Sequence, residues 1–149
     1  MLKIYLDSCC YNRPFDRQVD RNVKLETMAK LCIQDRVRSG IHHLVWSFIL
    51  DAETEDNPSQ DKRERISAWR LRASEYCAVC PDVLLGAQRY MQIGLKIKDA
   101  LHLSSAVRCG CDYLITTDRK FHNKNKLVDG IEIVNPMEFV EKVKVPDDQ

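Results

Sequence analysis

No uncharged apolar run of 18 residues occurs in this chain, so nothing in it reads as a membrane span. Ahead of Asp7 the opening residues are too few and too polar for the apolar core of an export signal, and the expectation is a soluble, unprocessed, cytoplasmic protein. Internal repeats, low-complexity tracts and Gly/Ser linkers are missing as well. With five glycines and five prolines in 149 residues, the chain predicts one continuous domain over residues 1–145, and Val145 onward, chiefly residues 146–149, reads as a frayed tail. An excess of one charge is also lacking: 23 Lys and Arg face 22 Asp and Glu, so any contact with a polyanion must come from a local patch. The seven cysteines cannot all pair internally, and without an export signal they are expected as thiols. Cys77-x-x-Cys80 and Cys109-x-Cys111 do not make the matched knuckles of a zinc ribbon, because the second pair flanks Gly110 at an expected helix end.

What is present is an alternation of strand and helix signals. Leu2 to Leu6 is a short, mostly apolar run that stops abruptly at Asp7, the pattern of a strand buried on both faces. Residues 19–39 predict a crossover helix, with Val23, Met28, Leu31, Cys32 and Val37 at helical spacing and Gly40 as its stop. Residues 44–46 predict a second strand, and Ser47 opens a helix carrying Phe48, Ile49, Ala52 and Glu53 that breaks at Asn57-Pro58. Further helices are expected over residues 66–77, 83–93 and 97–109. A third strand is expected over 113–116, a fourth over 131–134, and a last short helix from Asn135-Pro136 to Val143. Strands separated by helices imply an α/β fold, with a central, mainly parallel sheet covered on both faces. Such sheets collect their ligands at the carboxyl ends of the strands, near the switch point.

That rule singles out acids. Asp7 follows the first strand, and Asp118 follows the third after Thr116-Thr117. Glu53 lies early in the helix after the second strand, and Asp99 stands in the first turn of the helix at 97–109. Asp51, Glu53 and Glu55 cannot all face the sheet, since residues two apart point about 200° apart on a helix, and Glu53 is preferred for sharing a side with Ile49 and Ala52. Each acid alone has a bland reading as a cap or a solvated charge. Four carboxyls converging from four segments would repel unless a cation relieved them, and oxygen-only ligands suit Mg²⁺ or Mn²⁺. A carboxylate-bound dication makes phosphodiester hydrolysis the expected chemistry.

The blocks Leu6-Asp7-Ser8, Ser47 with Glu53, Lys98-Asp99-Ala100-Leu101-His102-Leu103-Ser104-Ser105-Ala106 and Thr116-Thr117-Asp118-Arg119-Lys120-Phe121 together resemble the PIN domain, in order and spacing from about Leu2 to Val140. The resemblance implies a three-layer α/β/α sandwich and a Mg²⁺- or Mn²⁺-dependent ribonuclease acting on single-stranded RNA. It carries Asp7, Glu53, Asp99 and Asp118 over as the acidic quartet that binds metal and catalyses, with Thr116 as a supporting hydroxyl. Many small relatives are VapC-type toxins held inactive by a cognate antitoxin and commonly dimerise, which implies an antitoxin protein and a homodimer as partners beside the RNA. The segment Asn12 to Asp16 looks like that of solitary members, and Cys9 stands where an Asn often follows the first Asp.

Secondary features keep two readings each. Arg13 either holds a phosphate or pairs internally with Asp16 or Glu26, and Tyr11 and Phe15 either stack a base or pack under their loop. The basic stretch from Lys120 to Lys126 is either a funnel for a strand or a solvated loop. His102, three residues after Asp99, is assigned no role. The competing functional reading is a catalytically silent PIN-like module that binds RNA or protein.

Overall fold

The computed structural model describes residues 1–145. Its centre is a five-stranded sheet in the order β3-β2-β1-β4-β5, with β1 at Lys3–Leu6, β2 at His43–Ser47, β3 at Glu75–Cys77, β4 at Tyr113–Ile115 and β5 at Glu132–Val134. Every neighbouring pair is parallel. From β1 the chain moves outward through β2 to β3, then crosses back past β1 to β4 and β5. Crossovers of one hand therefore put the helices of the two halves on opposite faces. The result is the expected three-layer α/β/α arrangement, with the switch point between β1 and β4.

The central strands read as apolar runs because both of their faces are covered. Ile4, Tyr5, Leu6, Val45, Leu114, Ile115 and Ile133 are wholly buried, and each large side chain of this kind contributes roughly 1.5–3 kcal/mol of burial. Glycines close two of the helices. In α2 (Arg21–Arg38), the Asp20 carboxylate accepts the Asn22 amide at 2.7 Å, and Gly40 turns the chain away at φ 76°. In α6 (Ile97–Arg108), Gly110 does the same at φ 70°. The remaining helices are α1 (Ser8–Asn12), α3 (Phe48–Glu55), α4 (Gln60–Ser67), α5 (Pro81–Gln92), α7 (Arg119–His122) and α8 (Pro136–Lys142). Asn135 and Glu138 cap α8 reciprocally behind Pro136. α2 packs on α8, and α5 on α6.

Three expectations are corrected. Residues 66–77 are not one helix: α4 ends at Ser67, a 3₁₀ turn spans Ala68–Arg72, and Glu75–Cys77 is the fifth strand. Glu75 and Tyr76 are exposed on this edge strand, so its side chains carry no buried-strand signal; backbone pairing of Val45 with Glu75 and Trp46 with Tyr76 fixes it. On α2, Met28 and Leu31 face outward, 67% and 44% exposed, while Ile33 and Val37 are buried alongside Lys30, Gln34 and Arg36. Val145 is buried rather than frayed, and the expected tail at 146–149 lies outside the described residues. Among the described residues no helix is long and apolar enough to cross a membrane, and all seven cysteines are thiols.

Candidate functional site

Asp7 leaves β1 beside the switch point and caps α1. One of its oxygens accepts the Ser8 amide at 2.7 Å; the other accepts the Thr116 hydroxyl at 2.8 Å and the Cys9 thiol at 3.3 Å. The Cys9 sulfur in turn accepts the Thr117 amide at 3.3 Å, so a thiol fills the bonding role at this position. Thr116, fully buried at the end of β4, also accepts the Asp118 amide at 3.1 Å through the same hydroxyl. The two strand ends on either side of the switch point are thereby tied through one carboxylate, which is 5% exposed.

Glu53 arrives from α3, whose first turn is fixed by Ser47 at the end of β2. Its carboxylate accepts the Ser8 hydroxyl at 2.7 Å and a hydrogen bond from His102 Nε2. His102 is buried, and Nε2 also lies 3.3 Å from Asp7. Both carboxylates only accept, so Nε2 carries the proton. Behind the ring, Nδ1 bonds the Tyr5 hydroxyl at 2.6 Å, which is 2.6 Å from Ser47 Oγ. Burial works against charge on Glu53, but the His102 and Ser8 bonds and the Lys98 charge outweigh it and hold its pKa below the ordinary carboxylate value. Burial likewise opposes protonation of His102, and Asp7, Glu53 and Asp99 together raise its pKa nonetheless.

Asp99 and Asp118 stand further out. Asp99, half-buried in the first turn of α6, has its pKa pushed up to about 6, first by burial and then by the negative charges of Asp7 and Asp118, with Glu53 adding to them. Asp118 is exposed and caps α7, accepting the Lys120 amide at 2.9 Å. Two clefts meet at Asp118. One of about 420 Å³ runs past Arg13, Glu26, Thr116 and Arg119; the other, about 280 Å³, is bordered by Asp99, Lys120 and Lys124.

The structure therefore brings Asp7 and Glu53 into one group with His102, each offering an atom within 4.8 Å of the others. It sets Asp99 within electrostatic reach of that group and leaves Asp118 at the rim. His102 is the residue that sequence reasoning passed over. Its only signal was its place one turn beyond Asp99, which does not tell burial against acids from burial against apolar neighbours. Arg13 takes its internal reading, bonded to Asp16 at 3.0 Å and 3.7 Å from Glu26, while still bordering the larger cleft. Asp51 is turned away to bond Trp46 and Tyr76, leaving Glu53 as the acid of α3 that faces the switch point.

Chemically, the group is rich in carboxylate oxygen and poor in compensating cations. One histidine serves Asp7 and Glu53, and Asp99, its pKa raised first by burial and then by Asp7 and Asp118, adds a further carboxyl beside them. Such a donor set fits a hard divalent cation. Comparison with known proteins agrees with the fold and places it in a lineage. The sequence profile of the PIN domain matches residues 4–127. Among solved structures, a chain of VapBC2 from Rickettsia felis, crystallised with a DNA fragment from its promoter, superimposes with a TM-score of 0.54 at 14% identity, covering 90% of this chain and 98% of that one. No curated protein matches the chain.

Proposed function

This chain belongs to the PIN domain family, and on that premise we propose that it is a Mg²⁺- or Mn²⁺-dependent ribonuclease that hydrolyses phosphodiester bonds of single-stranded RNA, using Asp7, Glu53, Asp99 and Asp118. The observation that carries the proposal is the charge surplus at the switch point, where Asp99 is held to a pKa of about 6 by burial and by the acids facing it. A bound dication would supply Lewis acidity toward a phosphate oxygen and a more acidic water at this place. The chain's own residues do the rest. Ser8, Cys9 and Thr116 fix the Asp7 and Glu53 carboxylates in orientation, and His102 offsets part of their repulsion. Arg119, Lys120 and Lys124, along the two clefts, attract the RNA backbone to either side of Asp118.

The VapBC2 neighbour supports a further step: that this protein is the toxin of a toxin-antitoxin pair, with an antitoxin protein as partner; a second copy of itself is the further partner that the family resemblance adds. The enzymatic claim is tested first. Purified protein with Mn²⁺ cuts a labelled single-stranded RNA, and Asp7→Asn or Asp99→Asn slows cleavage by about 100-fold or more while circular dichroism stays unchanged. Variants that fold and cut like the parent would overturn the site assignment, and a parent that cuts no RNA with either metal would leave a silent PIN-like binding module in place of the nuclease.

A further inference from the structure

A separate cavity of about 690 Å³ opens between α1, α2, α4 and the 3₁₀ turn at Ala68–Arg72, and no residue lining it belongs to the acidic group. Two of its lining residues, Tyr11 and Gln34, bury polar atoms that lack a partner, and a third, Lys30, carries an ammonium with no ion pair among the described residues. The Tyr11 hydroxyl and the Gln34 carboxamide nitrogen make no hydrogen bond. Lys30, 3% exposed, meets only the ring faces of Tyr11 at 5.5 Å and Trp69 at 6.0 Å, with no carboxylate within ion-pair reach among the described residues. Burial, with the Arg38 charge adding to it, pulls the Lys30 pKa down to about 8. Two unpaired polar atoms are costly to bury, and folded chains normally satisfy such groups; an ammonium on a nearly buried stem with no anion beside it adds to the imbalance. Here all three border one space, which points to an acceptor that comes from outside.

The mouth of the cavity narrows the choice. Arg38 stacks on Trp69 at 4.6 Å and is bonded to Asp35, and Arg65 is bonded to Asp61. Arg72 lines the same opening with no carboxylate partner among the described residues. The balance is positive, with donors at two depths, as a polyvalent oxyanion requires. Pro14, Phe15, Leu31 and Ile66 give the remaining wall an apolar face for an organic body, and the volume falls in the range of small-molecule sites.

We propose that this cavity binds a nucleotide phosphate, its phosphoryl oxygens meeting Lys30, Gln34 and Tyr11 and its base or sugar lying against Phe15 and Leu31. Free mononucleotide and the 5′-phosphate end of an RNA present the same chemistry, and the test separates them. Tryptophan fluorescence is titrated in chelator-containing buffer with 5′-AMP, with inorganic phosphate, and with a short RNA bearing or lacking a 5′-phosphate. AMP or the 5′-phosphorylated RNA saturates the parent and binds at least tenfold more tightly than inorganic phosphate or the 5′-hydroxyl RNA. AMP binding as tightly as the 5′-phosphorylated RNA assigns the site to free nucleotide; saturation by the 5′-phosphorylated RNA alone assigns it to RNA ends.

Lys30→Met weakens this binding tenfold or more without lowering the melting temperature of the unliganded protein. The exposed Arg72→Ala weakens it several-fold and serves if Lys30→Met does not fold. Asp99→Asn binds AMP like the parent, because no residue of the acidic group lines this cavity. The inference is overturned if no probe saturates the parent, if inorganic phosphate binds as well as AMP, or if Lys30→Met and Arg72→Ala bind unchanged. The nuclease reading would survive any of these results, since RNA cleavage is measured with metal and by other residues.

Discussion

Asp99 faces three other carboxylates from a half-buried position, and the cost of that placement is measurable without any substrate. Its pKa is raised to about 6 from an ordinary 3.8, so between those values the folded protein binds more protons than the unfolded one. Stability contributed by protonated Asp99 is therefore lost as pH rises from about 4 through 6, and the deficit persists above. Discounted for solvent screening, it amounts to about 1–2 kcal/mol. In metal-free buffer, Asp99→Asn should thus be the more stable protein at pH 7.5 and lose that advantage near pH 4, as read by urea unfolding at both pH values. A parent that stays the more stable of the two at pH 7.5 would show that the acids do not repel one another. Residue by residue, the strand ends were the legible part: Asp7 and Thr116 sit where the sheet rule sends them. His102 was not legible, because its partnership with Glu53 joins residues 49 apart in sequence through burial that no local pattern encodes.

The elements were readable wherever both faces of a strand or one stripe of a helix had to be apolar. β1, β2, β4 and β5, and the helices α5, α6 and α8, follow from that requirement and their caps. β3 did not, since an edge strand with Glu75 and Tyr76 exposed shows no apolar alternation; it is held by backbone pairing and by bonds of Glu75 to Lys3 and Tyr76 to Asp51, which join residues far apart in the chain. The buried face of α2 was misread for a related reason: Lys30, Gln34 and Arg36 point inward and counterfeit a polar face. The pairing of α5 with α6 carries a sharper expectation. Gly86 lets the helices approach so closely that an added Cβ would lie 2.4 Å from the Ser104 hydroxyl, which donates to the Val83 carbonyl at 2.6 Å. Gly86→Ala should cost about 1–3 kcal/mol despite alanine's better helix propensity, and a melting temperature equal to or above the parent's would contradict this packing.

For the whole molecule, topology does the organising. Reversal of strand order between β1 and β4 gathers acids from four separated segments at one edge of an otherwise closed α/β/α body, and the near balance of charge, +1 overall, leaves the surface no general pull on RNA. Attraction must come from a few cations beside the site, among them Lys98, Arg119, Lys120 and Lys124. RNA affinity should therefore fall with salt at a log–log slope of about −2 to −3; a filter-binding series with an inactive variant gives the slope, and a value steeper than about −6 would require a basic surface this chain lacks. The claim that everything else depends on is that the acidic group holds a hard dication. The direct measurement is a calorimetric titration of metal-free protein with Mn²⁺ at neutral pH. The parent should bind saturably and Asp7→Asn should lose most of that binding. No binding by the parent, or equal binding by the folded variant, would contradict the account.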